Sequence, residues 1–190
     1  MRNDFVLIGP PADPARARAA ADIIDGLRRI ALEEALFLSR GDSSGTHRKE
    51  LALWRLANVA PEGDWYREAG IGQGDLIRMA SERAGYAIVD RGTFRSLERA
   101  VDLIVLQERG APLENPYSVI VATRAPHPDG AAALAAWLSG PRARAIIAAH
   151  GARAFGSPLF EPVEQQSMPG EAADSPAARP AATTFELPGS

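Results

Sequence analysis

The chain has 190 residues, a formal net charge of −3 and 46% hydrophobic content, enough for one domain or two small lobes with a buried core. Cysteine is absent, which excludes disulfides, thiol catalysis and thiolate metal sites. The charge balance offers no electrostatic case for nucleic acid, no apolar run reaches the length of a membrane span, and no signal peptide opens the chain.

In chain order, Phe5-Val6-Leu7-Ile8 reads as a buried strand stopped by Gly9-Pro10-Pro11. Residues 11–34 read as helical, with Ile23, Ile24, Leu27, Ile30 and Ala31 at helical spacing and Asp22, Asp25, Arg28 and Arg29 on a solvated face. Leu36-Phe37-Leu38-Ser39 is a short strand, followed by a glycine-flanked polar loop and a helix that buries Leu51, Trp54 and Leu53. Arg48, Lys49, Glu50 and Arg55 fall on its expected exposed side. Residues 61–74 form a loop anchored by Trp65, and Gly72-Gln73-Gly74 opens a helix over 75–83. Tyr86 to Val89 is a strand whose turn, Asp90-Arg91-Gly92-Thr93, starts a helix capped by Thr93. Further strands are expected at Leu103 to Leu106 and Tyr117 to Ala122, and helices at 131–138 and 141–150, the second stopped by Gly151. From Val163 onward the Pro-, Ala-, Ser- and Glu-rich composition reads as a disordered tail.

The most informative stretch is Ser39-Arg40-Gly41-Asp42-Ser43-Ser44-Gly45-Thr46-His47. A helix start leaves backbone N–H groups without internal partners, and the aligned peptide dipoles make it partly positive. Gly41 and Gly45 let the loop bend, and the hydroxyls of Ser39, Ser43, Ser44 and Thr46 with the Arg40 guanidinium add donors, so the stretch suits an oxyanion. The plain alternative is a capped strand-to-helix turn. No P-loop fits, because Gly45 is followed by Thr46 and His47 rather than by Lys and Ser or Thr. A hydrolase using Ser43 or Ser44 with His47 and Asp42 would crowd nucleophile, base and orienting acid into one loop, and there is no Gly-x-Ser-x-Gly elbow. A lone histidine with no second ligand nearby makes no metal site, and His47 is assigned a surface or capping role. Asp90 and Arg91 are expected to pair with Asp42 and Arg40 and orient the two loops.

This stretch, with Lys49-Glu50-Leu51 and Trp54 after it, resembles the signature of the tungstate-binding proteins of ABC importers, the TupA type. Asn3-Asp4-Phe5 with Gly9-Pro10, Trp65-Tyr66, Gly72-Gln73-Gly74, Asp90-Arg91-Gly92-Thr93, Asn115-Pro116-Tyr117 and Leu159-Phe160 match in order, so the resemblance runs from about Arg2 to Pro162. It implies an α/β, type II periplasmic binding-protein fold with a mixed sheet and flanking helices, present as one complete lobe plus part of a second. In that scheme 1–9 is a crossing strand from the first lobe, 10–116 the second lobe, 117–162 a return strand with first-lobe helices, and 163–190 the tail. The family's earlier stretch, with its Ser/Thr-rich anion-binding motif, has no counterpart before Met1.

The resemblance further implies tungstate or molybdate as ligand, with no cofactor, metal ligand or catalytic residue. Arg40 would carry the charge-bearing contact, and Ser44, Gly45, Thr46 and Thr93 would supply donors, with Asp42, Asp90 and Arg91 behind them. An ABC permease is the implied partner of a monomeric, extracytoplasmic protein that closes by hinge motion. A cytoplasmic oxyanion-sensing effector domain and a truncated remnant with weakened binding are the alternatives. Tungstate and molybdate are fully ionised at neutral pH, so donors alone serve them, whereas phosphate keeps a proton whose unmatched contact costs about 1–3 kcal/mol.

Overall fold

The computed structural model describes residues 1–163. Its axis is β1 (Arg2–Gly9), which pairs antiparallel with β4 (Ala87–Asp90) and β5 (Ile104–Gln107) through its second half. Through Arg2, Asn3 and Asp4 the same strand pairs with β6 (Glu114–Pro116). One strand therefore pairs with β4 and β5 through one end and with β6 through the other. Beside the main sheet, β2 (Phe37–Ser39) runs parallel to β3 (Tyr66–Glu68), and Phe37 bridges in parallel to Tyr86, the residue before β4.

An uninterrupted apolar run suits a strand covered on both faces, because successive side chains point to opposite sides. Phe5 and Leu7 enter a cluster with Leu27, Ile30, Phe37, Trp54 and Tyr86, while Val6 and Ile8 enter another with Leu38, Leu76, Ile77, Val89 and Phe94. The first cluster is covered by α1 (Ile23–Leu32) and α2 (Gly45–Leu56), and the second by α3 (Gln73–Glu82) and α4 (Arg91–Leu97). Gly9 has no room for a side chain, since a Cβ there would lie 2.6 Å from both Leu106 and Tyr86.

The fold corrects several expectations. The segment 11–34 is not one helix. Asp13 (φ 40°) and Arg16 (φ 53°) are left-handed, a 3₁₀ turn occupies Ala17–Ala19, and α1 begins at Ile23 behind an Asp22 cap. The Asp13 carboxylate enforces the break by accepting from the N–H groups of Ala17 and Arg18 and from the Tyr86 hydroxyl. Within the expected loop 61–74, Tyr66–Glu68 forms strand β3; its residues are half-buried to exposed and show no apolar alternation. Residues 117–122 do not form the expected strand; the strand in this region is β6 at Glu114–Pro116. Tyr117 still donates its N–H to the Met1 carbonyl, but Ile120 is 87% exposed and the run has no sheet partner among the described residues.

Beyond it come α5 (Pro128–Ser139), α6 (Pro141–Ala149) and the short α7 (Ala152–Phe155). Gly151 stops α6 in the left-handed region, as expected. Leu134, Trp137 and Ile146 are exposed while Leu138 and Ile147 are half-buried, so the apolar stripes of α5 and α6 are only partly covered by the described residues. Except for Val163, the segment assigned to the tail lies outside the described residues. No described helix is long and apolar enough to cross a membrane.

Candidate oxyanion site

Strands β2 and β4 run side by side in one direction, and α2 and α4 start where they end. Helix starts at the carboxyl edge of neighbouring parallel strands line a crevice in open α/β sheets. The loop from Ser39 to Ser44 is folded by its own side chains. Gly41 (φ 60°) and Ser43 (φ 59°) are left-handed, and a Cβ on Gly41 would sit 2.8 Å from the Glu68 Cβ. The Asp42 carboxylate pairs with Arg40 and accepts the Ser44 N–H at 3.1 Å. Hydrogen bonding from Ser44, helped by the charge of Arg40, holds the Asp42 carboxyl below its ordinary range.

Four N–H groups at a helix start lack intrahelical acceptors. Here Ser44 N–H goes to Asp42, and His47 N–H goes to Ser44 Oγ, the cap. The N–H groups of Gly45 and Thr46 remain. Nothing lies within 4 Å of the place a Gly45 side chain would occupy, so that end of α2 opens onto free space. The Thr46 hydroxyl donates to Gln73 Oε1 at 2.8 Å, which ties the start of α2 to the start of α3, where Gly72 also faces open space. Arg40 completes the set. Its Nη2 holds Asp42, while its Nε is buried without an acceptor among the described residues. A buried guanidinium N–H without an acceptor is costly.

Other expected residues have other duties. Ser39 is fully buried and donates its hydroxyl to Glu50 Oε2 at 2.7 Å, while its oxygen accepts the Gly41 N–H. His47 is buried rather than on the surface, and of its two expected roles it takes the capping one: its Nδ1 accepts the Ser43 N–H at 3.1 Å, just ahead of α2. Arg91 does not reach Asp42. It grips Asp4 through two 2.6 Å bonds and also pairs with Glu108. Asp90, not Thr93, caps α4, accepting the Thr93 N–H at 3.1 Å. Its second oxygen accepts from Asn3 Nδ2 at 2.6 Å, and Asn115 donates to Asn3 Oδ1 at 2.8 Å. The Asp90–Arg91 turn is thus pinned to β1 and β6, because Asp4 and Asn3 lie on β1 and Asn115 on β6. Lys49, expected on the exposed side, joins the same region by donating to the carbonyls of Pro112 and Glu114. A cavity of about 320 Å³ beside these strands is lined by carboxylates and arginines together, including Asp4, Glu108 and Arg91, and does not include the loop.

The misplacement with the largest consequence is that of Glu50. It was assigned to the exposed side of α2 yet is 1% exposed, between the loop and the Trp54–Tyr66 cluster. The signal was present, because Glu50 stands four residues before Trp54 and so shares its face. Burial lifts its carboxyl from 4.5 to about 7, against the opposing effect of hydrogen bonds from Ser39, Tyr66 and Trp54. Between those two pH values the folded chain holds a proton that the unfolded chain has released. Stability is therefore expected to fall as pH rises from about 4.5 to about 7 and to level off above. Denaturant titrations at pH 5 and 8 check this, with the decline smaller in Glu50→Gln.

The sequence profile of the PBP superfamily domain matches residues 1–142. The chain belongs to this family. Among its relatives, a tungstate-binding protein TupA of Peptoclostridium acidaminophilum is 40% identical over 172 residues, covering 85% of this chain and 59% of that protein. A putative ABC transporter anion-binding protein of Haloferax volcanii is 41% identical, covering 85% and 49%. The solved tungstate-binding protein TupA of Desulfovibrio alaskensis G20 superposes with a TM-score of 0.71 at 33% identity, covering 87% of this chain and 69% of that one. This PBP-like chain thus spans about half to three-fifths of the length of those two sequence relatives.

Proposed function

We propose that this chain is the oxyanion-recognising part of the substrate-binding component of an ABC importer for tungstate. One observation carries the reading: the Nε of Arg40, buried and without an acceptor among the described residues, stands in the loop that leads into the start of α2. Arg40 supplies the charged contact, Gly45 and Thr46 the backbone donors, and Ser44 a hydroxyl. Thr93, on the neighbouring turn, is the further donor. Asp42 holds Arg40 in place, while Asp90 and Arg91 hold that turn against β1.

Both Asp42 oxygens are engaged, Oδ1 by Ser44 and Oδ2 by Arg40, so the loop offers donors and few acceptors. That balance suits a fully ionised dianion such as tungstate or molybdate and disfavours phosphate, which carries a proton near neutrality. The role involves binding, closure over the anion by movement about the crossing strands β1 and β6, and presentation to a membrane permease outside the cytoplasm. It breaks no bond and uses no cofactor.

Thermal unfolding of the chain with tungstate, molybdate, sulfate and phosphate tests the reading. Tungstate at a hundredfold excess over its dissociation constant adds about 2.7 kcal/mol, enough to raise the midpoint by several degrees. A shift with tungstate that sulfate and phosphate do not produce is expected. A cooperative transition unmoved by any of the four anions would overturn it.

A further inference from the structure

Glu50 is a buried acid without a basic partner among the described residues, surrounded by donors from three elements. Its Oε2 accepts from Ser39 Oγ on β2 at 2.7 Å. Its Oε1 accepts from Trp54 Nε1 on α2 at 3.2 Å and from the Tyr66 hydroxyl on β3 at 2.8 Å. Three donors converging on two oxygens match a carboxylate, which only accepts. Ser39 has one proton, and Glu50 takes it. The lone pairs of Ser39 Oγ are left to receive the Gly41 N–H at 3.3 Å, at the left-handed residue that turns the chain between Arg40 and Asp42.

We propose that Glu50 is the positioning residue of the oxyanion loop, setting the direction of the Ser39 hydroxyl and through it the Gly41 turn that carries Arg40. This rests on the oxyanion reading for its functional consequence but not for its structural content. The relay has two states. With Glu50 ionised, the Ser39 proton points at Glu50 and the Gly41 N–H is accepted in full. With Glu50 protonated, Oε1 still faces two donors, so the acidic proton sits on Oε2 and points at Ser39. The Ser39 hydroxyl must then swing away, and the Gly41 N–H shares its acceptor with the new donor. Burial places this change close to neutral pH, at about 7.

The other groups that bear on Glu50 are Glu68 and Tyr66 on β3, Ser39 on β2 and Trp54 on α2. Of these Glu68 carries a charge that opposes ionisation, and its carboxylate lies 3.6 Å from His47 Nε2. His47 touches the loop separately through Ser43, and His47→Gln separates that contact from the relay.

The test is amide NMR of the ¹⁵N-labelled chain from pH 5.5 to 8.5, without ligand and with tungstate, on the native chain and on Glu50→Gln, Ser39→Ala and His47→Gln. Without ligand, the Gly41 and Asp42 amides are expected to titrate together near pH 7 in the native chain and in His47→Gln. The response should be absent in Glu50→Gln, where no proton is gained or lost, and in Ser39→Ala, where the relay is cut. A flat Gly41 resonance in the native chain, or the same titration surviving in Glu50→Gln, overturns the proposal whatever tungstate does. With tungstate at pH 8, Glu50→Gln is expected to weaken binding about tenfold, the effect of one misdirected hydrogen bond. Tighter binding in that variant, as removal of a repelling charge would give, also overturns it. Failure of the native chain to respond to tungstate, with the Gly41 titration intact, counts against the oxyanion reading alone.

Discussion

Replacing Arg40 by alanine is expected to raise the dissociation constant for tungstate about ten- to a hundredfold. A charge-assisted hydrogen bond contributes about 1.5–3 kcal/mol, and each 1.4 kcal/mol is a factor of ten. Arg40 brings at least the buried Nε, which has no other acceptor among the described residues. Its loss has a second consequence, because Asp42 is paired with Arg40 and would become an unneutralised carboxylate at the mouth of an anion site. Arg40→Ala with Asp42→Ala should therefore recover part of the loss. Arg40→Lys should recover little, since a single ammonium does not offer the planar fork that reaches Asp42 and an anion together. Isothermal titration on the three variants measures this. Binding within threefold of the native chain in Arg40→Ala would assign the charged contact to another group.

The largest effect on stability is expected from Trp54→Ala, at about 3–5 kcal/mol in chemical denaturation. Trp54 is fully buried, and its ring meets Phe37 edge-on at 5.0 Å, Trp65 at 5.7 Å and Tyr66 at 6.4 Å. Four aromatic rings from α2, β2 and β3 with its preceding loop lean on one another, so removing the central ring leaves a cavity that none of them can fill by a rotamer change. The indole also donates to Glu50, so truncation leaves a buried carboxylate with one donor fewer. Trp54→Phe separates the two contributions by keeping most of the apolar volume and deleting the donor. A loss under about 1 kcal/mol in Trp54→Ala would mean that the cluster collapses onto the vacancy.

The contrast between Trp54 and Glu50 shows what a linear reading of this chain reaches. The apolar run Phe5 to Ile8, the strand ending at Ser39, the helix after Ser44 and the turn at Asp90 are local patterns, set by side-chain periodicity, capping chemistry and glycine, and they stand where the residues place them. Trp65 anchors its loop to the core as its apolar bulk suggests. Short strands without an apolar period were not legible. Tyr66–Glu68 and Glu114–Pro116 are strands because β2 and β1 offer them hydrogen-bonding edges. Residues 117–122 have strand composition but no such edge among the described residues, and composition alone does not pair a backbone.

The candidate site divides in the same way. That the Ser39–His47 loop could hold an oxyanion follows from donor-rich residues at a helix start, a property of neighbours in the chain. Which of its groups are free for a ligand does not. Ser39 is taken by Glu50, Thr46 by Gln73 and Arg91 by Asp4, over separations of 11, 27 and 87 residues. Hydrogen-bond partners at that distance are chosen by the packing of strands and helices against one another, so local order alone supplied the loop, and the folded chain decided which of its donors face the crevice.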